Sequence, residues 1–313
     1  MDTRYLPNEG LTAPQMAQAI RKVDLEPFLV KPSKEEDLKS TLYAYLRGKV
    51  PILMGVLLVD GSKDNFTTPV VCDSKHAVAV TGYSLGGAVK PNPENGFLLK
   101  ASKIDKIYAH DDQVGPFSRI VMDIKTIEYI FGGRNYHGQS LGTSWIGGNG
   151  IIGSIRAIMD FLLIPLYRKI RIPFTSIHDV VMYFDGYIEA LRNAGMISLK
   201  ERLLWDIYLT KNNDIKQEIF NSTILHGKLK RKILMNNLPR YLWRASALYS
   251  DGSIVLDLLF DTTDIEQANY IECAIGYNQD VFDELVYIAQ SSTAILSKTN
   301  PEWKVFQYFV ELT

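Results

Sequence analysis

The sequence predicts an α+β protein, and three features carry that expectation. Two helix-like segments open the chain, a series of short apolar strands separated by turns follows, and helices and strands mix again after a glycine-rich stretch. The first helix covers residues 11–22, with Thr12 placed to cap it and Pro14 suited to its first turn. Ser33-Lys-Glu-Glu36 reads as a capping box before a second helix that runs to about Arg47. Residues 51–59 are continuously apolar and stop at Asp60-Gly61, the pattern of a buried strand and a turn. HAVAVTGY, residues 76–83, is the next strand. Gly86-Gly87 and PNPENG at 91–96 form a loop. Residues 104–110 are a further strand, Asp111-Asp-Gln-Val-Gly-Pro116 turns the chain, and residues 117–122 return.

Residues 132–153 hold eight glycines in twenty-two positions and read as a linker between a first part, 1–131, and a second, 154–313. They lack the Gly-Lys-Ser/Thr ending of a phosphate loop. The second part begins with an apolar strand at 157–167. An amphipathic helix at 176–194 follows, closed by Gly195, then a strand at 202–210 and helices at 213–221 and 226–235. Residues 239–249 and 253–261 suggest a strand pair around Ser250-Asp-Gly-Ser253, and 280–290 a late helix.

Composition excludes some function classes. The 34 Lys and Arg nearly balance the 35 Asp and Glu, giving a net charge of -1, so a nucleic-acid partner is not expected. The basic run at 167–172 reads more plainly as a solvated strand end. No apolar run is long enough to span a bilayer, and MDTRYLPNEG lacks the apolar core of a signal peptide. The two cysteines, Cys72 and Cys273, lie far apart and give neither metal-ligand spacing nor a disulfide framework, so a reducing cytoplasm is the expected compartment. No cofactor and no metal is expected.

His76, one of five histidines, heads a strand. It is either a polar cap or a base fixed to a rigid element. Asp111 ends the next strand, with Asp112 beside it, and antiparallel pairing of the two strands would bring those ends together. Residues 11–22, the apolar strand at 51–59, HAVAVTGY and IYAHDDQVGPF together resemble a papain-like fold of the bacterial C39-like cysteine peptidase kind, over roughly residues 10–122. The resemblance implies helices packed on an antiparallel sheet, His76 as general base, and Asp111 as the acid that orients it, with Asp112 the close alternative. The plainer reading of both aspartates is turn chemistry.

The chain departs from that family at the nucleophile, a Cys expected at the start of a helix ahead of the sheet. No cysteine precedes Pro51. Either residues 11–22 are the nucleophile helix and Leu11 or Thr12 holds its first position, or they are the second helix and the first would lie upstream of Met1. Cys72, four residues before His76, is the other candidate thiol, though Cys is commonly a small buried hydrophobe. Cys273 sits among apolar residues as inert core. The resulting expectation is a degenerate or truncated cysteine-peptidase-like protein that binds a peptide or protein partner. The alternative is an active hydrolase of peptide or isopeptide bonds, with the thiol from upstream sequence or from Cys72. In the second part, Arg240, Arg244, Asp261 and Asp264 suggest either a polar pocket at a sheet end, with Tyr241 and Trp243, or ion pairing across a half-exposed hairpin. The sequence indicates no oligomeric state.

Overall fold

The chain folds into helices and mostly antiparallel strands, and it divides into two compact units: residues 1–88 with 103–168, and residues 89–102 with 169–313. The computed structural model describes residues 11–60, 70–72, 74–146, 150–225, 227–263, 271–291 and 305. In chain order the elements are α1 (Ala13–Lys22), β1 (Leu25–Val30), α2 (Glu35–Arg47), β2 (Ile52–Asp60), β3 (Val70–Val71), β4 (Ser74–Ser84), β5 (Leu98–Leu99), β6 (Lys106–Asp111), β7 (Gly115–Phe131), β8 (Arg134–Thr143), β9 (Ile155–Tyr167), α3 (Phe174–Asn193), β10 (Leu204–Lys211), α4 (Asn212–Asn221), α5 (Gly227–Met235), β11 (Tyr241–Leu248), β12 (Ile254–Asp261), β13 (Ile271–Gly276) and α6 (Gln279–Ser291).

In the first unit six antiparallel strands close a ring, β9–β2–β4–β6–β7–β8 and back to β9. Closure works because β9 pairs β2 along one edge and shares its other edge between β8, at Arg156–Ile158, and β1, at Leu162–Tyr167. A barrel has no exposed edge to template further pairing.

The glycine-rich segment is therefore not a linker. Gly132 and Gly133, at φ 55° and 74°, form the two-residue turn between β7 and β8, where positive φ at both positions matches the strand twist. Gly138 lies where a Cβ would fall 2.7 Å from Ile158 and 2.8 Å from Tyr129, so the strand stays close to its neighbours only without a side chain. The boundary at 131/154 is corrected accordingly. The first unit runs on through β9, and residues 89–102 leave it to add β5 in parallel to β10 (Leu98↔Leu204, Leu99↔Trp205) in the second. Composition misled because glycine marks close strand packing as readily as it marks a loop.

The two N-terminal helices differ. α1 is amphipathic: Met16 and Ile20 pack on Phe161 and Leu163, and the expected cap Thr12 forms a capping box with Gln15. α2 is buried from Leu38 to Leu46 and packs on β2 and β4, with Tyr43 against Tyr83 at 5.2 Å between ring centroids. The box expected at Ser33 does not form. Lys34 is the N-cap, its side chain making no capping bond, and the Ser33 hydroxyl donates to Asp37 Oδ2 at 3.4 Å.

The second unit is the sheet β13-β12-β11-β10-β5. α4 and α5 cover one face with Ile215, Ile219 and Ile233 against Leu242, Leu259 and Ile275. Trp205 and Trp243 lie on the other face, against Phe184 and Phe174 of α3. The expected α3, α4, α5 and α6 and the β11–β12 hairpin all form, within two residues of their expected ends. No helix among the described residues is long and apolar enough to cross a membrane.

Candidate functional site

β4 and β6 pair antiparallel from Ala79↔His110 to Ser84↔Lys106, so the head of one and the tail of the other reach the same end of the barrel. That register places His76 beside Asp111 and Asp112. Nε2 of His76 lies 3.2 Å from Asp111 Oδ2 and 3.6 Å from Asp112 Oδ1. The Asp111 side chain is fully buried, that of His76 is 9% exposed, and that of Asp112 is 84% exposed.

Asp111 is held from both sides. Its Oδ1 accepts the backbone N–H of Gln113 at 2.7 Å and of Val114 at 3.2 Å, which is turn chemistry. Its Oδ2 accepts the indole N–H of Trp145 in a buried hydrogen bond. Trp145 also meets the His76 ring edge-on, with centroids 5.5 Å apart and planes at 87°. The tryptophan is fixed in turn by the end of the barrel. Its backbone N–H donates to Thr143 Oγ1 at 3.1 Å, its carbonyl accepts from Gly153, and the Thr143 hydroxyl donates to the Ile155 carbonyl at 2.6 Å.

Turn chemistry accounts for one carboxylate oxygen, and the other lies on the imidazole side. Despite its distance from both aspartates, His76 Nε2 has neither of them placed to take a hydrogen bond from it, and it is buried without such a partner.

Cys72 lies elsewhere. It is buried with Leu57, Val59, Ile127 and Ile158. His76 stands opposite Val56 in the β2–β4 register, and Val56 and Leu57 point to opposite faces of the sheet. The thiol and the imidazole are therefore on opposite faces. Cys273 is buried in the α4–α5 cluster.

Of the two helices ahead of the barrel strands, α2 is the one on β2 and β4. Its first turn carries Glu35, Glu36 and Asp37, three carboxylates where the macrodipole favours negative charge.

Of the two readings offered for the second unit, a polar pocket or ion pairing across the hairpin, the strands show a largely buried ionic network. Arg244 donates from Nε and Nη2 to Asp257 Oδ2 at 3.1 and 2.7 Å, from Nη1 to the Tyr208 hydroxyl at 3.0 Å, and to Glu218. The Tyr277 hydroxyl donates to Asp257 Oδ2 at 3.2 Å, and Asp257 Oδ1 is buried without a partner. Burial by itself would lower the Arg244 guanidinium, but Asp257, Tyr208 and Glu218 outweigh it and hold the group firmly charged. Burial and the Asp257 charge push the Tyr277 hydroxyl up. Ion pairing across the hairpin does occur, but it is buried rather than half-exposed. Asp261 instead accepts from Thr263, Trp243 donates to the Ile172 carbonyl, and Arg240 sits over the Tyr241 ring. Asp264 lies outside the described residues.

Two groups escaped the sequence reading. Trp145 stood in a segment taken for a linker, and its signal was a large aromatic among glycines. Asp257 was the one charged residue inside the apolar run of 254–260, and that was its signal. Comparison of the chain with protein-family models, with curated proteins and with solved structures found no match.

Proposed function

We propose that the chain is a papain-like protein that keeps an oriented imidazole and lacks its nucleophile, and that it binds a peptide or protein partner at the barrel end carrying His76. The observation that carries this reading is the position of Cys72, buried on the opposite sheet face from His76.

An apolar rim supports the binding half of the proposal. Val114, Phe117 and Ile146 are each about half exposed or more, and each stands within a few residues of Asp111, Asp112 or Trp145. Phe117 holds φ 60°, a left-handed conformation that costs a non-glycine residue on the order of 1 kcal/mol or more and keeps an aromatic ring at the surface. Exposed apolar groups beside buried polar ones suit recognition of a chain with apolar side chains.

A second reading, an active hydrolase of peptide or isopeptide bonds, is favoured by the buried Asp111 facing His76 Nε2. It needs a thiol other than Cys72. One assay separates the two. A fluorogenic peptide library is incubated with the native protein and with His76→Asn, and binding of the same peptides is followed by anisotropy. The proposal expects no turnover, saturable binding that survives His76→Asn, and loss of binding in Phe117→Asp. Turnover that disappears in His76→Asn would establish the hydrolase instead.

A further inference from the structure

We propose that His76, Asp111 and Asp112 form a binding site for a divalent transition-metal ion of the zinc class. His76 Nε2, Asp111 Oδ2 and Asp112 Oδ1 would each supply one ligand. The three donor atoms all lie within 4.8 Å of one another. The independent observation is His76 Nε2 itself: it belongs to a side chain more than nine-tenths buried, it faces both carboxylates, and it makes no hydrogen bond. A buried ring nitrogen within 3.6 Å of two carboxylate oxygens and with no hydrogen bond of its own is what a coordinating imidazole presents.

Spacing argues against a magnesium-size site, and donor type decides among the larger ions. Donors about 2.0–2.2 Å from a tetrahedral centre stand about 3.3–3.6 Å apart, whereas an octahedral site of magnesium size brings adjacent donors to about 2.8–3.0 Å. The observed separations from Nε2 are 3.2 and 3.6 Å. One imidazole and two carboxylates suit zinc and its first-row neighbours, while calcium and magnesium prefer oxygen alone. The outer shell is in place as well. The Trp145 indole N–H and the N–H groups of Gln113 and Val114 fix Asp111, as outer donors fix ligating carboxylates elsewhere. Exposed Asp112 provides the entry side and leaves a fourth position to water.

Coordination uses the neutral ring with its proton on Nδ1, so a bound ion and a working base exclude one another at His76. The proposal does not rest on the papain-like reading. The residues hold a metal whether or not the fold is of that kind.

The test is a calorimetric titration of the chelator-treated full chain with zinc chloride, repeated with cobalt for its tetrahedral visible bands. The expected result is one ion per chain. Trp145→Phe, an outer partner, should weaken binding about 10- to 100-fold, and Asp112→Asn, a direct and exposed ligand whose loss leaves the core intact, by more than that. His137→Asn should leave the affinity unchanged; it controls for the exposed His137–Glu128 pair, 3.9 Å apart. Absence of stoichiometric binding to the native chain, unchanged affinity in Asp112→Asn, or loss of binding in His137→Asn would each overturn the site. Peptide binding is measured in chelator, so it stands or falls separately.

Discussion

Each unit sets a nitrogen group against an aspartate on neighbouring antiparallel strands. In the second unit the pair is Arg244 and Asp257. Both are buried, the guanidinium holds several partners, and α4 supplies Glu218 from above. In the first unit the pair is His76 and Asp111. The aspartate is just as buried, but Nε2 of the imidazole lacks a hydrogen bond, and the next residue, Asp112, stands in solvent. Arg244 spends its donors on its own fold, so removing a partner leaves a buried charge uncompensated. His76 contributes little to its fold beyond a ring contact, which leaves its nitrogen available to a ligand. Burial of a charged pair therefore does not mark a site. An underused polar atom beside an opening to solvent marks one better.

The comparison can be broken most directly at Asp257. Asp257→Ala strands the Arg244 guanidinium in the sheet and is expected to cost about 3–5 kcal/mol in urea unfolding. The combined change Arg244→Met with Asp257→Leu should recover most of that, because the charge is removed along with its partner. Trp145→Phe is next. It deprives buried Asp111 Oδ2 of its indole donor and should cost about 1–3 kcal/mol, read as a shift in the unfolding midpoint of the first unit. His76→Asn removes an edge-on aromatic contact and no hydrogen bond at Nε2, so about 0.5–1.5 kcal/mol is expected. A cost as large as that of Asp257→Ala would show His76 to be structural and erase the contrast between the units.

The smallest effect concerns acid. Asp105 accepts from the Ser84 hydroxyl at 2.5 Å, from the Lys106 ammonium at 3.0 Å and from the Gly86 N–H at 3.1 Å. The Ser84 bond above all, with Lys106 and Gly86, holds its carboxyl well below its usual value of 3.8. A folded-state value below the unfolded one stabilises above the unfolded pKa and is lost as pH falls beneath it. Asp105→Asn should therefore lower stability slightly above pH 3.8 and flatten the acid limb below it, the two curves converging in strong acid; the effect is small because the group is near the surface.

Much of this was legible in the residues. Apolar periodicity and run length gave the α+β class, the buried strand at β2, the four C-terminal helices and the β11–β12 hairpin, because burial imposes periods of 3.6 and 2 on the chain itself. The adjacency of His76 and Asp111 was also readable, since consecutive strands that pair antiparallel must bring head to tail. What only the tertiary structure decided were relations between distant segments. Barrel closure turned a glycine-rich stretch into strand β8, because glycine's absent side chain lets strands crowd as well as turn. The same closure delivered Trp145, 34 positions along the chain, to Asp111. Strand register put Cys72 on the far face from His76, and period 2 makes a single-residue step decisive there. The identity of neighbouring side chains along the chain is local information. Which face each one shares, and with whom, is settled only when the ring of strands closes.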